Sequence, residues 1–151
     1  MSIVSIRTAQ PGDTEALIDL ATRFYKTDGY HVDASKLPQR LEAARRSDQT
    51  AIFVADHEAE GCIGFIAVLL SQGLEHGCKA EVEALFVRSA VRGQRIGTRL
   101  IETGIEWATA QGAEEVYLVI AAQGEPVRQL EQLYLGLGFE PSRRVLMHRD
   151  F

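Results

Sequence analysis

The stretch Glu81-Val82-Glu83-Ala84-Leu85-Phe86-Val87-Arg88-Ser89-Ala90-Val91-Arg92-Gly93-Gln94-Arg95-Ile96-Gly97-Thr98-Arg99-Leu100-Ile101 decides the fold. It reads as a strand, a short turn and the opening of a long helix. Val82, Leu85, Phe86 and Val87 are the β-branched, aromatic and apolar residues that a mostly buried strand requires. From Gly97 the pattern changes to helical spacing, with Leu100, Ile101, Gly104, Ile105 and Ala108 on one face. Residues 92–98 hold two glycines and two arginines where that helix begins. A helix start leaves several main-chain N–H groups unpaired, and with the helix dipole they form an anion site that glycine lets a phosphate approach closely.

Neither the P-loop spacing nor Gly-x-Gly-x-x-Gly after a strand is present. The pattern is Arg-x-x-x-x-Gly, Arg92 to Gly97, after a strand ending Leu-Phe-Val. It resembles the acyl-CoA-binding motif of the GNAT superfamily of N-acetyltransferases. Two positions depart from that motif: Arg95 stands where the family's middle glycine is commonest, and Ser89 where a proline often precedes the loop. A second piece, Leu133-Tyr134-Leu135-Gly136-Leu137-Gly138-Phe139, is similar to the family's Tyr-x-x-x-Gly-Phe ending of the last helix. The asparagine that often precedes that helix is missing, with Gln123 or Glu125 in its region.

Working outward, the chain of 151 residues fits one domain spanning 1–151 and is long enough to bury a core. Its 46% hydrophobic and 25% charged residues are ordinary for a globular protein and argue against disorder. A net charge of -5 speaks against nucleic acid, which needs a basic face, and suits a cationic partner better. Cys62 and Cys78 are too few for a disulfide framework and too far apart for a metal knuckle, so free thiols in the cytoplasm are expected. No apolar run approaches membrane-spanning length, and no leader segment is evident.

Residues 3–7 read as a first strand, broken by Pro11-Gly12-Asp13, with Asp13 as N-cap of a helix carrying Ala16, Leu17, Leu20, Ala21 and Phe24. That helix should stop near Asp28-Gly29, and residues 35–46 should form a second, with Leu37, Leu41 and Ala44 inward. Residues 50–55 and 62–70 are expected as an antiparallel hairpin, turned at 57–61. After the central strand and helix, residues 114–120 make a strand in a right-handed parallel crossover. Gly124-Glu125-Pro126 opens a last helix with Leu130, Leu133, Tyr134 and Leu137 on one face, and residues 145–148 should form a final strand. The expected architecture is α/β: a mixed sheet, antiparallel first and parallel after, with helices on both faces. This is the element order of the GNAT fold over nearly the whole chain.

The residues also suggest chemistry. Glu81 and Glu83, two apart on the central strand, project to one face, and paired carboxylates raise one pKa toward a value suited to a base. The alternative is that they are solvated or pair with Lys79 or Arg88. The resemblance favours Glu83 as the catalytic base, with Glu81 as base or charge partner. It also implies Tyr134 beside the CoA sulfur as acid, against the reading of a core aromatic. Further, it implies that the main chain of Leu85, Phe86 and Val87 pairs with pantetheine where the fourth and fifth strands splay. Arg92, Gly93, Gln94, Arg95, Ile96, Gly97 and Thr98 would hold the diphosphate, and Phe24, Asp28 and Tyr30 would line the acceptor site. Cys62 and Cys78 are read as structural, and His57 and His76 as solvated turn residues. The expected activity is direct acetyl transfer from acetyl-CoA, with no metal, to a primary amine on a small cationic molecule. A protein lysine or N-terminus, or a silent CoA-binding sensor, stand as alternatives. A homodimer is compatible with the superfamily, although no stretch specifies one.

Overall fold

The computed structural model describes residues 3–28, 32–88, 94–120 and 125–151, without the side chains of residues 28 and 125–127. The chain divides into two compact units, Met1–Val119 and Ile120–Phe151. In the first unit, β1 (Val4–Thr8), α1 (Thr14–Asp28) and α2 (Leu37–Arg46) precede the strands β2 (Thr50–His57), β3 (Gly61–Gly73) and β4 (Gly77–Val87). The helix α3 (Ile96–Ala110) and the short strand β5 (Glu115–Tyr117) complete it. The five strands lie in the order β1-β2-β3-β4-β5, antiparallel up to β4 and parallel between β4 and β5. The expected hairpin, the crossover and the mixed sheet are therefore present.

Two faces of this sheet carry different helices. Gly104 lets α3 lie close: a Cβ there would meet Ile66 Cδ1 and Val68 Cγ2, each at 3.0 Å. Ile66 and Val68 thus define the α3 face, on which Leu100, Ile101 and Ala108 are buried. Leu17, Leu20, Ala21 and Leu37 from α1 and α2 pack with Ile52, Val54, Phe65 and Ala84 in the opposite core.

β4 changes phase between these two faces. Val82 sits opposite Val68 and Ala84 opposite Ala67, which leaves Glu83 as an extra residue with no cross-strand partner. Cross-strand partners share a face, so Val82 faces α3 before this β-bulge, and Leu85, opposite Ile66, faces α3 after it. Strict alternation through residues 81–87 would have put Val82 and Leu85 on opposite faces.

At the far edge, Arg7 binds Asp13 through two N–H groups, at 2.8 and 2.9 Å, and donates its Nε–H to Asp56 at 3.0 Å. Asp13 accepts from the Gln10 amide in the 3-10 turn Pro11–Asp13, so it caps that turn rather than α1, the helix it was expected to cap. The hydrogen bonds from Arg7, opposed by burial, hold its carboxyl down at about 2. Cys62 donates its thiol proton to Asp13, and burial beside that carboxylate pushes the thiol up to about 11.

The second unit contains α4 (Glu125–Gly136). Leu130, Tyr134 and Leu137 are its shielded apolar positions, while Leu133 is exposed, unlike its expected placement. After the helix, Gly138 takes φ 93°, its amide donates to Leu135, and the Phe139 amide donates to Tyr134. This is a Schellman ending, and its apolar clasp is the edge-on contact of Tyr134 and Phe139 at 5.6 Å. The expected strand at 145–148 is not formed. Val145, Leu146 and Met147 are exposed and carry no strand ladder. That strand β5 is also shorter than the expected 114–120.

Two predictions follow from this packing. Gly64→Ala places a Cβ 2.8 Å from the Phe86 carbonyl oxygen, which cannot rotate away. It should cost about 2 kcal/mol in denaturant unfolding, whereas Gly136→Ala, with nothing within 4 Å, should cost nothing. Because Asp13 titrates lower in the folded state than its ordinary 3.8, its contribution is complete above that value and is lost as pH falls through about 2. Asp13→Asn should remove about 2 kcal/mol at neutral pH and flatten the acid limb of a stability–pH curve.

Candidate active site

The bulge delivers carboxylates into a cavity. Between α1, α2 and the sheet lies a pocket of about 500 Å³, with Glu81 and Glu83 on the β4 wall. Phe24 and Tyr25 of α1 form another wall, and Arg40 and Leu41 of α2 a third, over Ile52, Phe65 and Leu69 of the sheet. Glu83 is reached by solvent through the open cavity, yet protein crowds it. Burial first, and the Glu81 charge second, push its carboxyl above the ordinary glutamate value. Neither expected alternative partner takes it: Lys79 lies over the Tyr117 ring at 5.2 Å, and Arg88 pairs with Glu60 at 3.7 Å. Glu81 is held differently, accepting the Tyr117 hydroxyl at 3.3 Å.

Next to this cavity the sheet opens. The β4–β5 ladder runs through Lys79–Glu115, Ala80–Val116 and Glu81–Tyr117 and then stops. The Arg88 amide donates to Ile63 on β3, so by antiparallel alternation the main chain of Leu85 points to the other edge. No described residue of β5 meets it there. The splay expected between residues 85–87 and 118–120 therefore begins right after Glu81.

The start of α3 supplies a second set of donors. Its first ladder bond runs from the Arg99 amide to the Arg95 carbonyl, which leaves the Ile96, Gly97 and Thr98 amides ahead of the ladder. Among the described residues, nothing caps them with a side chain. Arg95 sits in the left-handed region, φ 54° and ψ 30°, a conformation that favours glycine. That is why its position in the motif is usually glycine; here the chain adopts the turn with an exposed arginine. Gly97 has an ordinary backbone, and a Cβ on it would meet nothing closer than Val87 Cγ2 at 4.0 Å. No described residue demands glycine there, and the missing side chain leaves the space beside these amides open. A diphosphate of CoA fits these donors, and a pantetheine arm fits the open edge of β4.

The site calls divide as follows. Glu81, Glu83 and Phe24 share the cavity, and Phe86 touches Phe24 edge-on at 6.5 Å. Leu85 and Val87 lie on the splayed half of β4, and Gln94, Arg95, Ile96, Gly97 and Thr98 at the head of α3. Asp28 ends α1, without a described side chain, and Tyr30, Ser89, Arg92, Gly93 and Gln123 lie outside the described residues. Tyr134 belongs to the second unit. His57 is not the solvated turn residue expected: it is buried, and its Nδ1 accepts from the Ala59 and Glu60 amides. His76 stays partly exposed. Both cysteines are free.

Tyr25 and Arg40 line the pocket and were missed. Arg40 had a signal, lying beside Leu41 and three residues after Leu37 on α2. Tyr25 had none, because it follows the inward Phe24 where the helical pattern places a flank. Its hydroxyl is pushed up, first by burial and then by the Glu83 charge.

The sequence profile described as the acetyltransferase (GNAT) family matches residues 14–139. The chain belongs to that family. It is an acetyl-CoA-dependent acyltransferase, and the GNAT fold is shared with solved structures. Aminoglycoside N-acetyltransferase AAC(6')-Iy in complex with CoA is similar, with TM-score 0.82 and 20% identity over 99% of this chain and 96% of that one. A transcriptional regulator from Bacillus halodurans superimposes with TM-score 0.80 and 24% identity, covering 98% of this chain and 100% of the other. A predicted acetyltransferase with acetyl-CoA from Clostridium acetobutylicum gives TM-score 0.80 at 17% identity, over 97% and 96%. No match to a curated protein sequence was found. Among the described residues no helix is long and apolar enough to cross a membrane, and no acidic, His or Cys cluster could hold a metal ion.

The carboxyl signal of Glu83, followed by NMR or infrared titration, should have a midpoint above the ordinary 4.5. Glu81→Gln removes the neighbouring charge and should lower that midpoint; an unchanged value would mean that the two carboxylates do not interact.

Proposed function

We propose that the protein transfers the acetyl group of acetyl-CoA directly to a primary amine on a small molecule, with Glu83 as general base. The observation that carries this reading is a carboxylate on a β-bulge, with a raised pKa and no cation paired to it among the described residues, in a cavity adjoining the open edge of β4. An alkylamine with pKa near 10.4 is mostly protonated at neutral pH, so presenting it as a free base costs roughly 4–5 kcal/mol. Glu83 accepts that proton, and its raised pKa brings acceptor and operating pH closer together. The charge of Glu81, held by Tyr117, attracts the ammonium group before it is deprotonated.

Acetyl-CoA supplies the acetyl group as a thioester, already activated because a thiolate leaves with a pKa of about 8.5. The Ile96–Thr98 amides, with Arg92, Gly93, Gln94 and Arg95 around them, hold its diphosphate, while the main chain from Leu85 to Val87 aligns the pantetheine. Tyr134 protonates the departing sulfur, an assignment that rests on the Tyr-x-x-x-Gly-Phe motif it opens. The two compact units form one catalytic domain over 1–151, a reading supported by a family match that runs across their boundary. The two free thiols, one pushed up to about 11, suit a reducing cytoplasm.

Turnover should be measured as thiol release with a panel of amines. Glu83→Gln should lower kcat by about a hundredfold at neutral pH and recover partly at high pH, where the amine is already deprotonated. An unchanged pH–rate profile would remove Glu83 from the role. Tyr134→Phe keeps the ring and its contact with Phe139, so CoA affinity should hold while kcat falls; wild-type kinetics would leave it a packing residue. Tight CoA binding without turnover on any amine would instead make the protein a CoA-binding module.

A further inference from the structure

We infer that the amine accepted here is carried on an apolar body, an alkyl or aryl group, rather than on a hydroxyl-rich sugar or a polycation. This rests on the proposed amine acetylation and names its acceptor class. The cavity of about 500 Å³ is the size of a small-molecule site, and Phe24, Leu41, Ile52, Phe65, Leu69 and Val119 give it much of its apolar lining. Its carboxylates, Glu81 and Glu83, come from a single strand and so mark one end for one ammonium group. Among the described residues, Tyr25, Arg40 and Thr50 are the remaining polar side chains of the lining.

That distribution selects by what it cannot satisfy. Hydroxyl groups lying against Leu41, Ile52 and Phe65 would find no donor or acceptor on those side chains, a penalty that an alkyl chain does not meet. A second ammonium group on a diamine would leave the β4 carboxylates behind and approach Arg40, a like charge on α2. Among the described residues no carboxylate hydrogen-bonds Arg40, and Asp33, which feels its charge, is exposed and accepts from the Ser35 amide and hydroxyl instead. An apolar chain meets neither obstacle and gains from covering the apolar lining.

The test compares kcat/KM for hexylamine, phenethylamine, hexamethylenediamine, spermidine and neamine with acetyl-CoA, reading thiol release and product mass. Hexylamine or phenethylamine should exceed the diamine, spermidine and neamine by at least about tenfold. Leu69→Gln should lower hexylamine kcat/KM by about tenfold with CoA affinity and circular dichroism unchanged. Arg40→Glu should raise the ratio of diamine to hexylamine kcat/KM by about tenfold, and an unchanged ratio would mean that Arg40 does not repel the second ammonium group. Preference for neamine or spermidine would overturn this inference while leaving the acetylation reading intact. Saturable CoA binding with no acetylated product from any amine would overturn both.

Discussion

Everything at this site depends on how β4 divides its hydrogen bonds. Along one edge it pairs with β3 from Gly77 to Val87; along the other it pairs with β5 for three residues only. A main chain cannot be left dry and unpaired without cost, so an edge that opens in the middle of a sheet calls for a partner other than a strand. The extended arm of CoA has the length and the alternating donors and acceptors to be that partner. In the proposed complex the ligand takes the place of a ladder beside Leu85, and its phosphates reach the amides that α3 presents beyond it.

The bulge at Glu83 resolves a conflict in the same strand. Leu85 and Val87 must face α3 to close one core, and Ala84 must face α1 to close the other. Glu81 and Glu83 both line the cavity beneath α1 and α2. Plain alternation satisfies the two glutamates but would turn Leu85 with them. One unpartnered residue shifts the phase between the halves and satisfies all of these at once. The electrostatic result is local: among the described residues no cation pairs with Glu83, while Arg7 joins Asp13 and Asp56 at the β1–β2 edge and Arg45 and Arg46 take Glu42 on α2.

Much of this could be read in the sequence because the signals were periodic. The helical face of Leu100, Ile101, Gly104 and Ala108 and the hairpin of β2 and β3 follow from spacing alone. The Tyr134–Phe139 motif was legible too, and the structure gives it a mechanical meaning: glycine for a left-handed turn, two aromatics to clasp the helix end. The bulge was hidden because Ala84-Leu85-Phe86-Val87 is apolar throughout and carries no phase. His57 misled because charge and glycine around it suggested a solvated turn, whereas its ring is drawn in to accept two amides. Residues 145–148 misled in the other direction, since an apolar run states a preference for a strand but not the presence of a free edge to receive it. The left-handed Arg95 shows that a motif's glycine reports a backbone angle, which another residue can adopt at some cost.

An unpartnered residue in the middle of a ladder also bears on how such a protein diverges. Inserting or removing one residue elsewhere in β4 would exchange the inward and outward sets and ruin both cores. At Glu83 the ladder does not dictate the position of the side chain, and the strand re-enters register immediately afterwards. Exchanging the acidic group at that one position therefore leaves the indexing of both halves of the strand intact.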